Sequence, residues 1–337
     1  MTKQERIAAF AKLGEWLIHP DDETRYFIAQ LYAKNAWYTT DNVIRQMRTI
    51  GNNLTQEKLT TWISTYQAED SSKTVGLVLA GNLPLVGFHD ILCSLLMGFN
   101  VQLKASSDDA GLTPYVVNKL IQISPSFAQK IAIVDKLSDF DLVIATGSNN
   151  SARYFEYYFG QKPNIIRKNR NSVAILTGEE SQEQIAALGN DIFDYFGLGC
   201  RSVSKIYVPK GYSIATFFEG IEHFSGIKDH FKYNNNYDYN KSIYLINKDK
   251  HYDNGFLLLK EDSNLSSPLA VVFYEEYNDI KELEELLKQQ QENIQCVVSQ
   301  HKLDIPSPLF QLGQGQYPAL DDYADGIDTL DFLAQHQ

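Results

Sequence analysis

The sequence feature best suited to chemistry is a cysteine on a glycine-flanked turn, Cys200. It follows an apolar segment predicted to be a helix, residues 185–196, and precedes a predicted short strand, residues 205–208. Because glycines let a substrate and backbone N–H groups come close, the thiol is expected to face a cleft. An unperturbed thiol is only about 3% ionised at pH 7, so a reactive one needs nearby positive charge, which Arg201 and Lys205 are expected to provide.

The other two cysteines, Cys93 and Cys296, lie in apolar segments and are predicted to be buried hydrophobic residues. The three cysteines are far apart and form no C-x-x-C pair, so neither a disulfide framework nor a zinc site is indicated. The histidines show no metal-ligand spacing either. We therefore predict thiol chemistry without a metal.

Size and composition bound the class of protein. A chain of 337 residues is long enough for two domains with a core each. With 44% hydrophobic and 21% charged residues it is typical of a soluble globular protein, and no apolar run reaches membrane-spanning length. The net charge of -12 argues against a nucleic-acid partner. The hydrophobic residues of segment 1–18 are spaced as in a helix and not as in a signal peptide, so we expect a cytoplasmic protein.

An alternation of strand and helix begins after a helical segment, residues 1–66, and a polar linker. Strands and helices are predicted in turn at 75–80, 88–98, 101–104, 113–123 and 141–146. This spacing is typical of a parallel sheet covered on both faces. A further strand at 172–176 precedes the helix that leads to the cysteine.

Beyond the cysteine the predicted pattern is mixed. It contains a helix at 214–224, an Asn- and Tyr-rich stretch at 233–239, a strand at 269–273, a helix at 280–291 and a strand at 294–298. We expect a second domain of mixed topology here.

One strand-to-helix turn, Thr146-Gly147-Ser148, is placed where phosphate groups bind at the first turn of a helix. An ordinary connecting turn has the same composition. The dinucleotide fingerprint G-x-G-x-x-G between a strand and a helix is absent, and the glycines of segment 313–315 are predicted to lie in a loop.

Two more polar residues follow predicted strands. Lys104 ends a strand, where it is either a ribose ligand or a solvated strand end. Asn82 precedes a Leu-Pro turn, where its amide is either a donor to a developing oxyanion or a turn former. His89, at the start of the next helix, is either a proton donor or a surface or capping group.

In order and spacing, these elements resemble the aldehyde dehydrogenase superfamily. The turn at 81–84 resembles its Asn-x-Pro turn, 101–104 its cofactor lysine strand, 146–148 its pyrophosphate turn and 197–208 its nucleophile loop. Within the superfamily the sequence is most similar to the long-chain acyl-CoA reductase family, on the evidence of Asn35-Ala36-Trp37-Tyr38-Thr39 and of the tail at 323–330.

The resemblance implies an α/β fold with a Rossmann-like parallel-sheet cofactor domain and a second α/β catalytic domain. We expect residues 1–196 to form the first domain, with the tail at 305–337 packing back on it, and residues 197–304 to form the catalytic domain. The implied catalytic residues are Cys200, as nucleophile, and Asn82. The implied cofactor-binding residues are Lys104, Ser107, Thr146, Gly147 and Ser148.

Departures from the superfamily pattern narrow the expected reaction. Hydrolytic members carry a glutamate before the cysteine that activates water, whereas the corresponding stretch here, residues 167–172, contains no carboxylate. An acyl-cysteine should therefore last long enough to be reduced. The expected reaction is reduction of an acyl-CoA or acyl-protein thioester to an aldehyde.

The cofactor is expected to be NADPH, with NADH possible. Many NAD-preferring members carry a ribose-binding glutamate where this chain has Ser107, and loss of that charge should relieve repulsion of a 2′-phosphate. The neighbouring carboxylate of Asp108 should itself repel a 2′-phosphate and so acts against a preference for NADPH. A second glutamate, which orients the nicotinamide ribose in the superfamily, has no counterpart in residues 264–267.

Two other functions stay open on sequence grounds. The first is another non-hydrolytic reductase of the superfamily, acting on an acyl phosphate or a short acyl-CoA, and the second is a non-catalytic acyl-binding or interaction module. The segment before residue 75 lacks the β-hairpin arm that superfamily members use for assembly, so an ordinary tetramer is not expected and a homodimer is left open.

Overall fold

A computed structural model describes residues 1–337, which form two compact units. The first unit consists of Met1–Asn169 and Ala319–Gln337, and the second of Arg170–Pro318. These limits differ from the predicted boundary after residue 196 and the predicted tail from residue 305. The reason is strand pairing, because the strands at Asn171–Ile175 and Leu309–Phe310 both pair within the sheet of the second unit.

The first unit begins with four helices, each of which starts at a residue whose side chain accepts a backbone hydrogen bond. They are α1 (Lys3–Ile18), α2 (Asp22–Lys34), α3 (Thr40–Asn53) and α4 (Gln56–Trp62). Their apolar faces contribute to the main hydrophobic core of this unit. The predicted helical segment is thereby confirmed.

The first unit also contains a parallel sheet of five strands. The strands are β1 (Thr74–Val78), β2 (Asn100–Lys104), β3 (Ile131–Ile133), β4 (Leu142–Thr146) and β5 (Asn164–Arg167), in the order β3-β2-β1-β4-β5. The helices of this unit that follow α4 are α5 (Phe88–Leu96), α6 (Leu112–Ile123), α7 (Asn149–Phe159) and α12 (Thr329–Ala334). Strand order reverses between β1 and β4, and such switch points are where open α/β sheets bind ligands.

The second unit is built on a sheet of seven strands, in the order β12-β11-β6-β7-β10-β9-β8. The strands are β6 (Asn171–Ile175), β7 (Val203–Pro209), β8 (Tyr252–Asp253), β9 (Leu258–Glu261), β10 (Val271–Tyr277), β11 (Ile294–Ser299) and β12 (Leu309–Phe310). The helices are α8 (Gln182–Phe193), α9 (Ile214–Ile221), α10 (Phe231–Asn247) and α11 (Ile280–Gln289). Only the β8–β9 pair is antiparallel, so the predicted mixed topology is confirmed.

Helix α10 is the largest element that the sequence pattern does not predict. It contains the Asn- and Tyr-rich stretch, whose composition favours irregular structure. Tertiary contacts explain its helical form: the Tyr233 hydroxyl donates to the carbonyl of Phe256 over 2.9 Å, and the Tyr237 hydroxyl donates to Asp253 over 2.7 Å. None of the helices is both long enough and apolar enough to cross a membrane.

Candidate active site

The loop that carries Cys200 reverses the chain between α8 and β7. Four of its residues have left-handed backbone conformations: Tyr195, Phe196, Gly197 and Gly199, with φ of 55°, 62°, 78° and 94°. Glycine adopts this region without cost, whereas each of the two aromatic residues loses about 1 kcal/mol or more. Strained residues of this kind concentrate where a side chain must be presented to a ligand.

The first residues of β6 and the residue before them hold Cys200. The backbone N–H of Arg170 donates to Cys200 Sγ over 3.5 Å, which favours the thiolate. The Ser172 hydroxyl donates to the Cys200 carbonyl oxygen over 2.7 Å and lies 3.1 Å from Cys296 Sγ. The nucleophile candidate is therefore bound at both its sulfur and its backbone.

The two cations expected to support the thiolate have other contacts. Lys205 is fully buried, and its ammonium group binds the Glu275 carboxylate at 2.6 Å and the carbonyl of Ser263 at 3.0 Å. Its charge is thus compensated within the sheet, so Lys205 does not serve as expected. The Arg201 guanidinium donates to the carbonyl of Gly315 over 3.2 Å and lies over the Phe310 ring.

A second loop, residues 313–316, supports the cysteine loop. As predicted, it opens no helix. Its glycines fit against α8, because a Cβ at Gly313 would lie 2.9 Å from the Cβ of Ala187. The Gln316 amide donates to the Ser202 hydroxyl over 3.2 Å, and that hydroxyl donates to the carbonyl of Leu198 over 2.7 Å.

Asp191, on α8, binds the backbone of this second loop. Its carboxylate accepts the backbone N–H groups of Gly313 and Gly315 over 2.5 and 2.9 Å. Burial raises the pKa of Asp191 to about 7, although the two hydrogen bonds oppose that rise. Sequence reasoning missed Asp191 because the residues it binds are far away along the chain.

In the first unit, the Asn82 turn directly follows β1 at the switch point. The Asn82 side chain is exposed. The preceding residue, Gly81, packs on the loop after β2, since a Cβ there would lie 2.5 Å from the backbone nitrogen of Asp109. Only glycine fits at this contact, which brings the loops after β1 and β2 together.

The predicted phosphate turn lies at the end of β4, the other strand of the switch point. Ser148 caps α7, and its hydroxyl accepts the backbone N–H of Ser151 over 3.2 Å. Position 147 has no room for a side chain, since a Cβ there would lie 2.8 Å from that of Ser151, so glycine is required at this turn. The first turn of α7 contains no acidic residue. Together with Thr146, this arrangement suits a phosphate group, which helix N-termini attract.

Lys104 and Ser107 lie after the neighbouring strand. Lys104 ends β2, paired with Val78 of β1, and its ammonium group has no hydrogen-bond partner within the protein. Ser107 begins a helical turn, Ser107–Asp109, in which Ser107 and Asp108 are exposed and Asp109 is buried. An unengaged lysine and a phosphate-compatible turn on either side of β1 fit a dinucleotide at the carboxyl ends of the strands.

Comparison with known proteins decides the family. Residues 37–217 match the model of the family described as acyl-CoA reductase (LuxC). The chain belongs to the acyl-CoA reductase (LuxC) family. The prediction of this family is confirmed, and the family indicates acyl reduction of the aldehyde dehydrogenase type. No curated protein matches the sequence.

Solved structures show that this acyl-CoA reductase family member has the aldehyde dehydrogenase fold. Aldehyde dehydrogenase 21 from Physcomitrella patens is 14% identical with a TM-score of 0.66, over 99% of this chain and 84% of that one. An NAD-dependent benzaldehyde dehydrogenase from Corynebacterium glutamicum is 13% identical with a TM-score of 0.68, over 93% and 82%. An NAD-dependent aldehyde dehydrogenase from Sinorhizobium meliloti is 12% identical with a TM-score of 0.67, over 92% and 75%.

Residues 264–267, between β9 and β10, contain no carboxylate. The backbone N–H of Asn264 donates to Asp262, and the hydroxyl of Ser267 donates to the carbonyl of Val271 over 2.6 Å. The segment is thus folded on itself. The nearest acidic residue in sequence, Asp262, binds Lys260 at 3.4 Å.

His89 packs against other residues of the first unit. Its Nε2 lies 2.9 Å from the carbonyl oxygen of Leu320, and its Nδ1 lies 3.7 Å from Sγ of the buried Cys93. The ring also packs beside Trp62 and Tyr323. We therefore give His89 no role in proton transfer.

Proposed function

We propose that this protein reduces the acyl thioester of coenzyme A or of an acyl-carrying protein to the aldehyde, with NADPH, through an acyl-Cys200 intermediate. One observation carries the proposal: the backbone N–H of Arg170 lies 3.5 Å from the Cys200 sulfur. Arg170 belongs to the stretch that, by resemblance, holds the water-activating glutamate in hydrolytic relatives. A backbone group that donates a hydrogen bond to the thiolate at that place, with no base in the stretch to activate water, supports acyl transfer over hydrolysis.

In the first step, the Cys200 thiolate attacks the thioester carbonyl carbon and forms a new carbon–sulfur bond. The bond to coenzyme A breaks, and coenzyme A leaves as a thiolate that takes a proton from solvent. We assign the Asn82 amide and the backbone N–H of Cys200 as donors to the transient oxyanion.

In the second step, the acyl-cysteine becomes an aldehyde. A reduced nicotinamide, when bound, would supply the hydride to the acyl carbon. We assign Lys104 to its adenosine ribose and Thr146, Gly147 and Ser148 to its pyrophosphate. Addition of the hydride to the acyl carbon leaves the negative charge on its oxygen. The carbon–sulfur bond then breaks as that oxygen re-forms the carbonyl, so the aldehyde is released and Cys200 leaves as the thiolate.

A labelled long-chain acyl-CoA tests this proposal directly. Incubation without cofactor should label the protein on one residue, and Cys200→Ala should abolish the label. Cys93→Ala is the matched control, because Cys93 is a buried thiol of the other unit and its loss should leave labelling unchanged. Equal labelling of the wild type and Cys200→Ala would refute the mechanism.

A second candidate, a non-catalytic acyl-binding module, is favoured by the absence of a carboxylate in residues 264–267. Normal acylation of Cys200 without binding of NADPH or NADH would support the module. Comparison of NADPH consumption with long-chain acyl-CoA, short acyl-CoA and acyl phosphate separates the proposed reductase from other non-hydrolytic reductases.

A further inference from the structure

The turn between α2 and α3, residues 35–38, serves the proposed site although it lies outside the sheet. The turn is closed by two hydrogen bonds: the backbone N–H of Trp37 donates to the Asn35 side chain over 3.1 Å, and the N–H of Tyr38 donates to the Asn35 carbonyl over 2.9 Å. Tyr38 is fully buried. Its side chain therefore has a fixed position in the core of the first unit.

The Tyr38 hydroxyl contacts the carbonyls on both sides of Asn82. It lies 3.0 Å from the carbonyl oxygen of Gly81 and 2.9 Å from that of Leu83. Burial, with smaller contributions from the charges of Asp109 and Asp108, raises the pKa of Tyr38 far above its ordinary value. The hydroxyl thus keeps its proton and donates it to this turn at every physiological pH.

The same turn also contacts the loop after β2. The Asn35 amide nitrogen donates to the carbonyl of Asp108 over 2.8 Å, in the loop that contains Ser107. One rigid turn thus contacts the two neighbouring loops that hold the proposed oxyanion donor and a proposed cofactor-binding residue. Because Tyr38 binds the carbonyls of Gly81 and Leu83, it fixes the backbone position from which the exposed Asn82 side chain extends.

We propose that Tyr38 is a positioning residue, whose hydroxyl fixes the Asn82 turn so that the amide is aimed at the oxyanion. This inference rests on the proposed function. It predicts that removal of the hydroxyl alone lowers the rate of Cys200 acylation, while affinity for the acyl-CoA stays the same. It also predicts that the hydroxyl matters only while Asn82 is present.

A double-mutant cycle with Tyr38→Phe and Asn82→Ala tests this inference. Tyr38→Phe should lower the single-turnover acylation rate roughly 5- to 30-fold without changing the acyl-CoA concentration at half-saturation. In the Asn82→Ala background, the same change should lower the rate less than 2-fold, because coupled residues are not additive. Equal losses in both backgrounds would overturn the inference.

Tyr233→Phe is the matched control, since Tyr233 is a buried tyrosine of the second unit whose hydroxyl donates to the carbonyl of Phe256, in the same unit, over 2.9 Å. It should leave the acylation rate unchanged, and an equal loss of rate would overturn the inference. Hydrogen exchange of residues 79–86 provides a readout without activity: it should rise in Tyr38→Phe and not in Tyr233→Phe, and unchanged exchange would overturn the inference. If the wild type forms no acyl-cysteine while Tyr38→Phe still shows this rise, the proposed function is refuted, and Tyr38 fixes the turn without serving catalysis.

Discussion

At the scale of single residues, the sequence identifies Cys200 but not what holds it. A cysteine between glycines, helix and strand is a local pattern, and the predicted buried state of Cys93 and Cys296 is confirmed. Ser172 lies 28 residues before Cys200, and only the pairing of β6 with β7 brings them together. Lys205 was expected to favour the thiolate because it is near in sequence, but strand alternation directs its side chain to Glu275.

Ser172→Ala should lower the acylation rate of Cys200 about 5-fold, with little change in KM. The variant removes the hydroxyl that fixes the Cys200 carbonyl, and a hydrogen bond of this kind contributes about 1 kcal/mol. Ser299→Ala is the control, because the buried Ser299 hydroxyl donates over 2.9 Å to the carbonyl of Ile175 at the other end of β6. Equal effects of both variants would show that only strand stability is involved.

Ser107→Glu should shift cofactor preference from NADPH towards NADH. The new carboxylate repels a 2′-phosphate and can accept a hydrogen bond from a 2′-hydroxyl, so the ratio of the two dissociation constants should change on the order of 10-fold. Ser107→Gln is the uncharged control. Fluorescence titration with each nucleotide measures the ratio, and an unchanged ratio in Ser107→Glu would remove Ser107 from the ribose site.

At the scale of elements, most helices and strands of the sheet regions follow from periodicity and caps. The pattern that predicts β1, β2 and β4 is a run of apolar residues, which parallel strands need because both faces are covered. What the pattern lacks is contact between elements. Helix α10 is stabilised by a hydrogen bond from Tyr237 to Asp253 of β8, and the loop at 313–316 is stabilised by Asp191 of α8.

Asp191 should make stability depend on pH. Its pKa is about 7 in the folded chain, against about 3.9 when unfolded, so the folded chain binds the proton more tightly. This contribution to stability is complete below about pH 4 and is lost as pH rises through about 7, about 4 kcal/mol in all. Urea unfolding from pH 4 to 8 should therefore show a shallower decline for Asp191→Asn than for the wild type. Parallel curves would contradict the raised pKa.

At the scale of the whole molecule, the chain leaves the first unit after Asn169 and returns to it at Ala319. The tail is bound there by a hydrogen bond of 3.0 Å from the Trp62 indole to the Tyr323 hydroxyl, and by one of 2.9 Å from Arg167 to Thr329. Arg167 also forms a buried ion pair of 2.5 Å with Asp90. Sequence composition does not mark the first of these limits, because the chain leaves the first unit after Asn169 without a glycine- or proline-rich linker. The return at Ala319, in contrast, follows Gly313, Gly315 and Pro318.

Leu330→Ala should destabilise the first unit. Leu330 is fully buried in the core of that unit, and loss of such a side chain costs about 2–5 kcal/mol. Hydrogen exchange should increase in β1, β2 and β4 and stay unchanged in β7 and β10. Leu303→Ala, in a core of the second unit, should give the converse pattern. Equal loss of protection in both sheets from either variant would contradict the division into two units.

The fate of the acyl group on Cys200 is the most direct test of the proposed chemistry. The protein is acylated with a labelled long-chain acyl-CoA, freed of excess substrate, and divided into portions with and without NADPH. We predict that the adduct persists without NADPH and gives one equivalent of aldehyde with it. Release of the free carboxylic acid at the same rate in both portions would contradict the account.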